Sequence, residues 1–367
     1  MKIAYVANVR MPTEKAHGVQ ILKTCEALVR AGATLELIVP TRLNPIQESA
    51  FAYYDMPETF PITYLKVPDT VGWGRFGFIL QTMRFAHAAK KYVRAHADAE
   101  TIVYGRDERA LVHFLDLKLP IIWETHTGAW NGAARRVAAR AKRIIAISNG
   151  LKDEYVSKGV PAAKIIVAHD AIDLQAFASV PSKQEARAAL GLPQDAIIAM
   201  YIGKLTAEKG APVFFEAAAQ LKGAVGAAVI GGTEIEIAAL RAAYPAVRFL
   251  GSRPYRELAA HQAAADILVL PNSGRTDVSA RYTSPLKLFA AIASGVPIVA
   301  TDVPSLREVL DDTMATFVPP DDASALARAI QDTAANPAAA KERAAHALAA
   351  ASGYTWDIRA RAILAAL

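Results

Sequence analysis

A single cysteine in 367 residues leaves nothing for a disulfide to pair with and no thiol cluster for a metal, so Cys25, inside a helical pattern, is expected to be a small core residue. No run approaches the roughly 18 uninterrupted apolar residues of a membrane span. The opening MKIAYVANVR is too short for the apolar core of a secretory signal and is expected to be a first strand, which makes the expected location cytoplasmic. Zinc-finger spacing, an RNP-like aromatic strand and a long basic tail are all missing, so nucleic acid is not an expected partner. Neither an Asp-x-Asp pair nor a His/carboxylate cluster with ligand spacing is present, so no metal site is expected. A last absence is local. The stretch YTSPLKLFAAIASG, Tyr282 to Gly295, holds a lysine and no carboxylate.

What is present is an alternation. KIAYVANV, TLELIVP, TIVYG, LPIIWETH and RIIAIS are short apolar runs separated by amphipathic helical patterns, which is how parallel strand-helix-strand units are written. A turn-rich stretch around residues 172–190 interrupts the pattern. It resumes with AIIAMYIG, AAVIGG, VRFLG, ILVLP and PIVAT. With 53% hydrophobic and 21% charged residues, the chain is long enough for two α/β domains, each a doubly wound parallel sheet, with a cleft between them.

Ligands of such sheets lie beyond the carboxyl ends of strands. After AIIAMYI comes Gly203-Lys204-Leu205-Thr206-Ala207-Glu208-Lys209-Gly210, with Ala211-Pro212 opening a helix. Free amides, flexible glycines and two lysines converging there suit a diphosphate; a solvated loop with surface lysines is the plainer alternative. This loop lacks Gly-x-Gly-x-x-Gly and the Gly-Lys-Ser/Thr ending of a P-loop, which counts against a dinucleotide oxidoreductase and an NTPase. Gly18 precedes a helical pattern in the first domain, and Ser284-Pro285 is a helix-start signal in the second. Lys287 then falls in a first turn, where the helix dipole disfavours a cation unless an anion is near. Its alternative is a side chain snorkelling from a half-buried helix. The formal charge of +6 favours anionic partners.

Six pieces in order, HGVQILKTCEALVRAG, WETH, AKRIIAISNGLKDEYVSKGVPAAKIIVAHDAIDLQAF, YIGKLTAEKG, VRFLGSRPYRELAAHQAAADILVLPNS and YTSPLKLFAAIASGVPIVATDVPSLREVL, resemble the retaining glycosyltransferases of the family-4 type. The resemblance spans nearly the whole chain and implies the GT-B architecture of two Rossmann-like domains. The domains would be residues 1–176 on the acceptor side, 177–352 holding the donor, and a C-terminal helix, 353–367, returning to the first. It implies a nucleoside diphosphate sugar as donor substrate, no cofactor, and metal-independent hexosyl transfer to a glycan, lipid-linked or small-molecule acceptor. Lys204 and Lys209 would bind the diphosphate and stabilise the leaving nucleotide, with His126 beside the donor sugar; these three are the expected catalytic residues. Gly18, Gly203, Arg253 (through its main chain), Ser284, Pro285, Leu286 and Lys287 would complete the donor site. Glu124 is read as a strand-end carboxylate satisfied by loop amides rather than as a base.

One position departs from the pattern. The family's ribose-binding glutamate aligns with Ala290. That motivates a second reading, a catalytically weak or inactive homologue acting as a binding or scaffold subunit. A third, an epimerase or hydrolase of the same architecture, has no motif of its own here. Aromatic and basic residues interleave in GWGRFGFILQTMRFAHAAKKYVRAH, and ARRVAARAKR adds further cations. These leave open a peripheral location on the inner, anionic face of a membrane.

Overall fold

The computed structural model describes residues 1–223 and 225–367. The chain forms two compact units, residues 1–169 with 356–367 and residues 170–355. In the first unit, β1 (Lys2–Val6), β2 (Thr34–Pro40), β3 (Ile62–Leu65), β4 (Thr101–Gly105), β5 (Ile121–Thr125), β6 (Arg143–Ala146) and β7 (Ile165–Val167) form a parallel sheet in the order β3-β2-β1-β4-β5-β6-β7. In the second, β8 (Ile197–Ile202), β9 (Val225–Ile230), β10 (Val247–Phe249), β11 (Ile267–Leu270), β12 (Ile298–Thr301) and β13 (Thr316–Val318) form another, in the order β10-β9-β8-β11-β12-β13. Both orders reverse direction beside the first strand of the sheet, as in doubly wound folds.

Both faces of the second sheet are covered, which explains strands without polar alternation. Ile198 and Met200 of β8 join Leu268 and Leu270 of β11 in one core. Ala199 and Tyr201 join Ile267 and Val269 in the other. Cys25 is fully buried in α1 (Ala16–Arg30), the role expected of it. Two further helices of the first unit matter below: α2 (Gly74–His96) and α3 (Gly132–Arg140). So do α4 (Ala211–Ala218) and α5 (Leu286–Ala293) of the second unit and the closing α6 (Trp356–Ala365). α6 is tied to the first unit by Arg30 to Asp357 at 2.7 Å and by the Arg143 Nε–H donating to the Ala366 carbonyl at 2.8 Å. Among the described residues no helix is long and apolar enough to cross a membrane.

Three strands that the apolar runs did not announce, β3, β7 and β13, all lie at sheet edges. They are three or four residues long, and pairing with a neighbour rather than their own composition defines them. Part of the stretch expected to be turn-rich is helical, because Ser182 and Glu185 form a reciprocal capping box that starts Lys183–Leu190. The expected polar loop before YTSPLKLFAAIASG contains a π-helical turn, Val278–Tyr282.

Candidate functional site

The loop after β8 is held by main-chain contacts rather than left to solvent. Gly203 N–H donates to the Ile230 carbonyl at 2.9 Å, and the Tyr201 hydroxyl donates to the Lys204 carbonyl at 2.6 Å. At the far end Gly210 has φ +71° and packs so tightly that a Cβ there would stand 1.5 Å from the Pro271 carbonyl oxygen. Ser279 in the π-helical turn donates from its hydroxyl to the Glu208 carbonyl at 2.5 Å. The ends of β8 and β11 therefore carry one interlocked surface. Two helices start on these loops without side-chain caps, α4 after Gly210 and α5 after Pro285. In α4 the Ala211 N–H already donates to the Thr206 carbonyl at 3.4 Å and Pro212 has no N–H, so it is the start of α5 that offers first-turn amides to an anion.

Lys287, in the first turn of α5, aims its ammonium at this surface. Its Nζ is buried, has no hydrogen-bond partner among the described residues, and lies 5.0 Å from the centre of the Tyr201 ring. Burial, followed by the neighbouring positive charge of Lys209, pulls its pKa down to about 7. Lys209 itself is lowered by burial, with Glu208 opposing and Lys204 adding to the fall. Lys204 is exposed. The structure thus gathers Gly203, Lys204 and Lys287 around Tyr201, with the charge of Lys209 acting on Lys287; Tyr201 is a residue that the sequence reading missed because an aromatic in an apolar strand looks like core. Asn272, just past β11, is fully buried with neither side-chain amide atom partnered among the described residues. A concentration of unsatisfied polar atoms at one strand end marks a site built for a polar ligand.

The rest of the start of α5 departs in part from expectation. Ser284 does not cap the helix; its hydroxyl accepts from the Asp170 N–H at 2.8 Å, and Pro285 occupies the cap position with Leu286 first in the helix. Ala290, one turn beyond Lys287, is fully buried in the core. Arg253 is exposed in the loop after β10. Beside it, the Gly251 carbonyl accepts from Gly231 N–H at 2.9 Å and joins the loops after β9 and β10.

In the first unit, Gly18 lies inside the first turn of α1 rather than before it. A Cβ would stand 2.0 Å from the Tyr54 hydroxyl, which accepts from Thr13 N–H at 2.9 Å and donates to the Thr13 carbonyl. His126 follows β5 and places Nε2 2.7 Å from Glu124 Oε1. Glu124 is fully buried and satisfied by side chains, not by the loop amides expected. Gln20 Nε2 donates to it at 2.5 Å, the Tyr104 hydroxyl donates to it, and Arg359 of α6 pairs with it at 3.0 Å. Burial alone would raise the Glu124 pKa, but the Arg359 guanidinium and the His126 hydrogen bond hold it well below the usual carboxylate range. Burial and the nearby Arg106 charge lower His126 to about 4, so at neutral pH the imidazole is uncharged. With Glu124 accepting from Nε2–H, the lone pair sits on Nδ1. Arg359 could have been suspected from sequence only as a cation on the apolar side of the last helix.

Residues 17–176 match the model of Glycosyltransferase Family 4, and residues 196–336 match Glycosyl transferases group 1. A D-inositol 3-phosphate glycosyltransferase of Streptomyces avermitilis is 29% identical over 248 residues, covering 62% of this chain and 52% of that protein. The chain therefore spans about half the length of that relative. A putative teichuronic acid biosynthesis glycosyltransferase, TuaC of Bacillus subtilis, is 28% identical over 355 residues, 90% of this chain and 88% of the relative. Among solved structures, Anabaena HepE in complex with UDP-glucose aligns over the whole of both chains with a TM-score of 0.78 at 17% identity, a likeness of fold. Two family models in succession along the chain, two parallel α/β sheets and whole-length structural neighbours lead to one assignment: the chain belongs to the family-4-type glycosyltransferases, with the GT-B fold.

Proposed function

We propose that this chain transfers a hexose, with retention of configuration, from a nucleoside diphosphate sugar to a glycan, lipid-linked or small-molecule acceptor. The observation that carries the reading is Lys287, a buried ammonium with no hydrogen-bond partner among the described residues, set beside Lys209 and the uncapped start of α5. A diphosphate supplies the negative charge this arrangement lacks. Charge grows on the departing diphosphate as the glycosidic bond breaks, and fixed cations and helix amides stabilise it without reorganising. The acceptor oxygen bonds to the anomeric carbon on the face the phosphate leaves, and its proton passes to the departing phosphate oxygen. Lysines fill the charge-neutralising role, so the reading needs no metal. His126 offers Nδ1 as an acceptor for a sugar hydroxyl.

Titrating UDP-, ADP- and GDP-sugars into the wild type and two variants tests this. Lys204→Ala should weaken donor binding about tenfold, since Lys204 is exposed and screened, and Lys209→Ala closer to a hundredfold. Unchanged affinity in both variants would remove the loop from the donor site. Ala290 supports the competing reading of a weak or inactive homologue, taken up in the Discussion.

The acceptor side carries a second part of the proposal, an anionic membrane surface. Trp73, which ends the short turn leading into α2, is 69% exposed; Phe76 of α2 is 72% exposed, and Ile79 and Met83 in the amino-terminal half of the helix are exposed too. Neither α2 nor α3 contains an Asp or Glu. Arg75, Arg84, Lys91 and Arg94 are exposed on α2, as are Arg135 and Arg136 on α3. Apolar side chains flanked by cations match an anionic bilayer. Sedimentation with vesicles of phosphatidylcholine and phosphatidylglycerol should retain the protein and release it at high salt. Trp73→Ser with Phe76→Ser should lower retention at least tenfold, and equal retention on pure phosphatidylcholine would sink the charge argument.

A further inference from the structure

Lys287 raises a question that donor binding alone leaves open: what its ammonium does before the donor arrives. The nitrogen is buried against the Tyr201 ring with no hydrogen-bond partner among the described residues, and Lys209 is the charge that bears on it. Glu208 and Lys204, in the same loop, act on Lys209. The elements packed against α5 are β11, which has no titratable group, Leu258–Ala263 with His261, and Pro337–Ala351 with Lys341, Glu342, Arg343 and His346. From β8 the Tyr201 ring faces the nitrogen, and burial and Lys209 are what act on its charge; among the described residues no carboxylate does. Position 290 lies three residues on, on the same face of α5, where a carboxylate would be within reach of Lys287; alanine stands there, fully buried.

We propose that Lys287 is uncharged in much of the free protein at neutral pH and takes up a proton when the donor diphosphate binds, so that donor affinity falls as the medium becomes more alkaline. The proposal rests on the donor reading of this site. A diphosphate beside the nitrogen supplies the missing counter-charge, and a group whose proton affinity rises in the complex must gain protons on binding. The direction follows from the free lysine titrating near pH 7 and from the rule that an adjacent anion favours the charged form and raises that value. Below about pH 6 Lys287 is already charged and binding takes up no proton; above pH 7 each further unit lowers the affinity, approaching tenfold per unit. The proton enters with the donor and stays beside the diphosphate as its charge grows, so the cation is present when it is needed and absent when an unpaired buried charge would cost stability.

Calorimetric titration of UDP-glucose, ADP-glucose and GDP-glucose in buffers of different ionisation enthalpy counts the protons. A sugar nucleotide's diphosphate does not titrate near neutrality, so any proton taken up enters the protein. Close to one proton is expected at pH 8 and close to none at pH 6, with affinity dropping roughly tenfold from pH 7.5 to 8.5. Lys287→Met should bind more weakly at pH 6 and show no pH dependence in this range. Ala290→Glu should bind without proton uptake, its carboxylate having charged Lys287 beforehand. Binding by the wild type with no uptake at pH 8 would overturn the proposal and leave the donor reading standing. Uptake that survives in Lys287→Met would also overturn it and assign the proton to Lys209. If none of the three binds at millimolar concentration and pH 6, the donor reading fails and the proposal with it.

Discussion

Arg359→Met should cost the first unit about 3–5 kcal/mol at neutral pH, the usual loss when one member of a buried ion pair is removed. Glu124 has no solvent exposure and Arg359 has 5%, so water cannot replace the guanidinium. Arg359 also donates to the His169 carbonyl at 2.9 Å and to Thr24 Oγ1 at 3.2 Å, and those acceptors would lose their donor too. The pH dependence identifies the cause. In the wild type the folded-state pKa of Glu124 is depressed, so its contribution is present above the unfolded value and is lost as pH falls through the folded one. Without Arg359, burial dominates and that pKa rises. The shortfall of the variant should then shrink on acidification, because a protonated Glu124 needs no cation. Urea titrations at pH 7.5 and 5, followed by amide exchange in β4 and β5, measure this. Adding Glu124→Gln to Arg359→Met should recover at least half the loss, since the amide can donate to the Tyr104 oxygen. A loss of under 1 kcal/mol, or one independent of pH, would show that Arg359 acts through packing alone.

Ala290→Glu should tighten donor binding by about ten- to a hundredfold at pH 6, where Lys287 is charged in both proteins. A charge-assisted hydrogen bond from a ribose hydroxyl contributes about 1.5–3 kcal/mol, which sets that range. A carboxylate at a fully buried position is ordinarily costly. Here Lys287, three residues earlier on the same face of α5, provides a cation, itself with no hydrogen-bond partner among the described residues, to offset the cost. Unchanged affinity in a folded variant would mean that the ribose contact is made elsewhere in this chain. Donor hydrolysis or transfer by the glutamate form alone would establish the wild type as the weak or inactive homologue.

The parts of this molecule that were legible before folding are those written in short-range pattern. Strands buried on both faces, such as AIIAMYI and ILVLP, are continuous apolar runs because each alternate residue meets a different helix layer. The loop from Gly203 to Gly210 announced itself through its glycines and lysines, and the structure adds why Gly210 is required, the Pro271 carbonyl lying where its side chain would be. Where two signals competed at one helix start, sequence chose wrongly. Ser284 has the chemistry of a cap, but the Asp170 amide claims its oxygen.

Sequence by itself determined the alternation of strands and helices, the two parallel sheets and the cation-bearing loop, because backbone preference, side-chain period and turn chemistry act over a few residues. Tertiary structure decided the charge states. Lys287 loses its affinity for a proton only because folding buries it beside Lys209, and Glu124 keeps its charge only because Arg359 arrives from the far end of the chain. Burial and through-space partners set those free energies, and neither is a property of the residues adjacent in the chain.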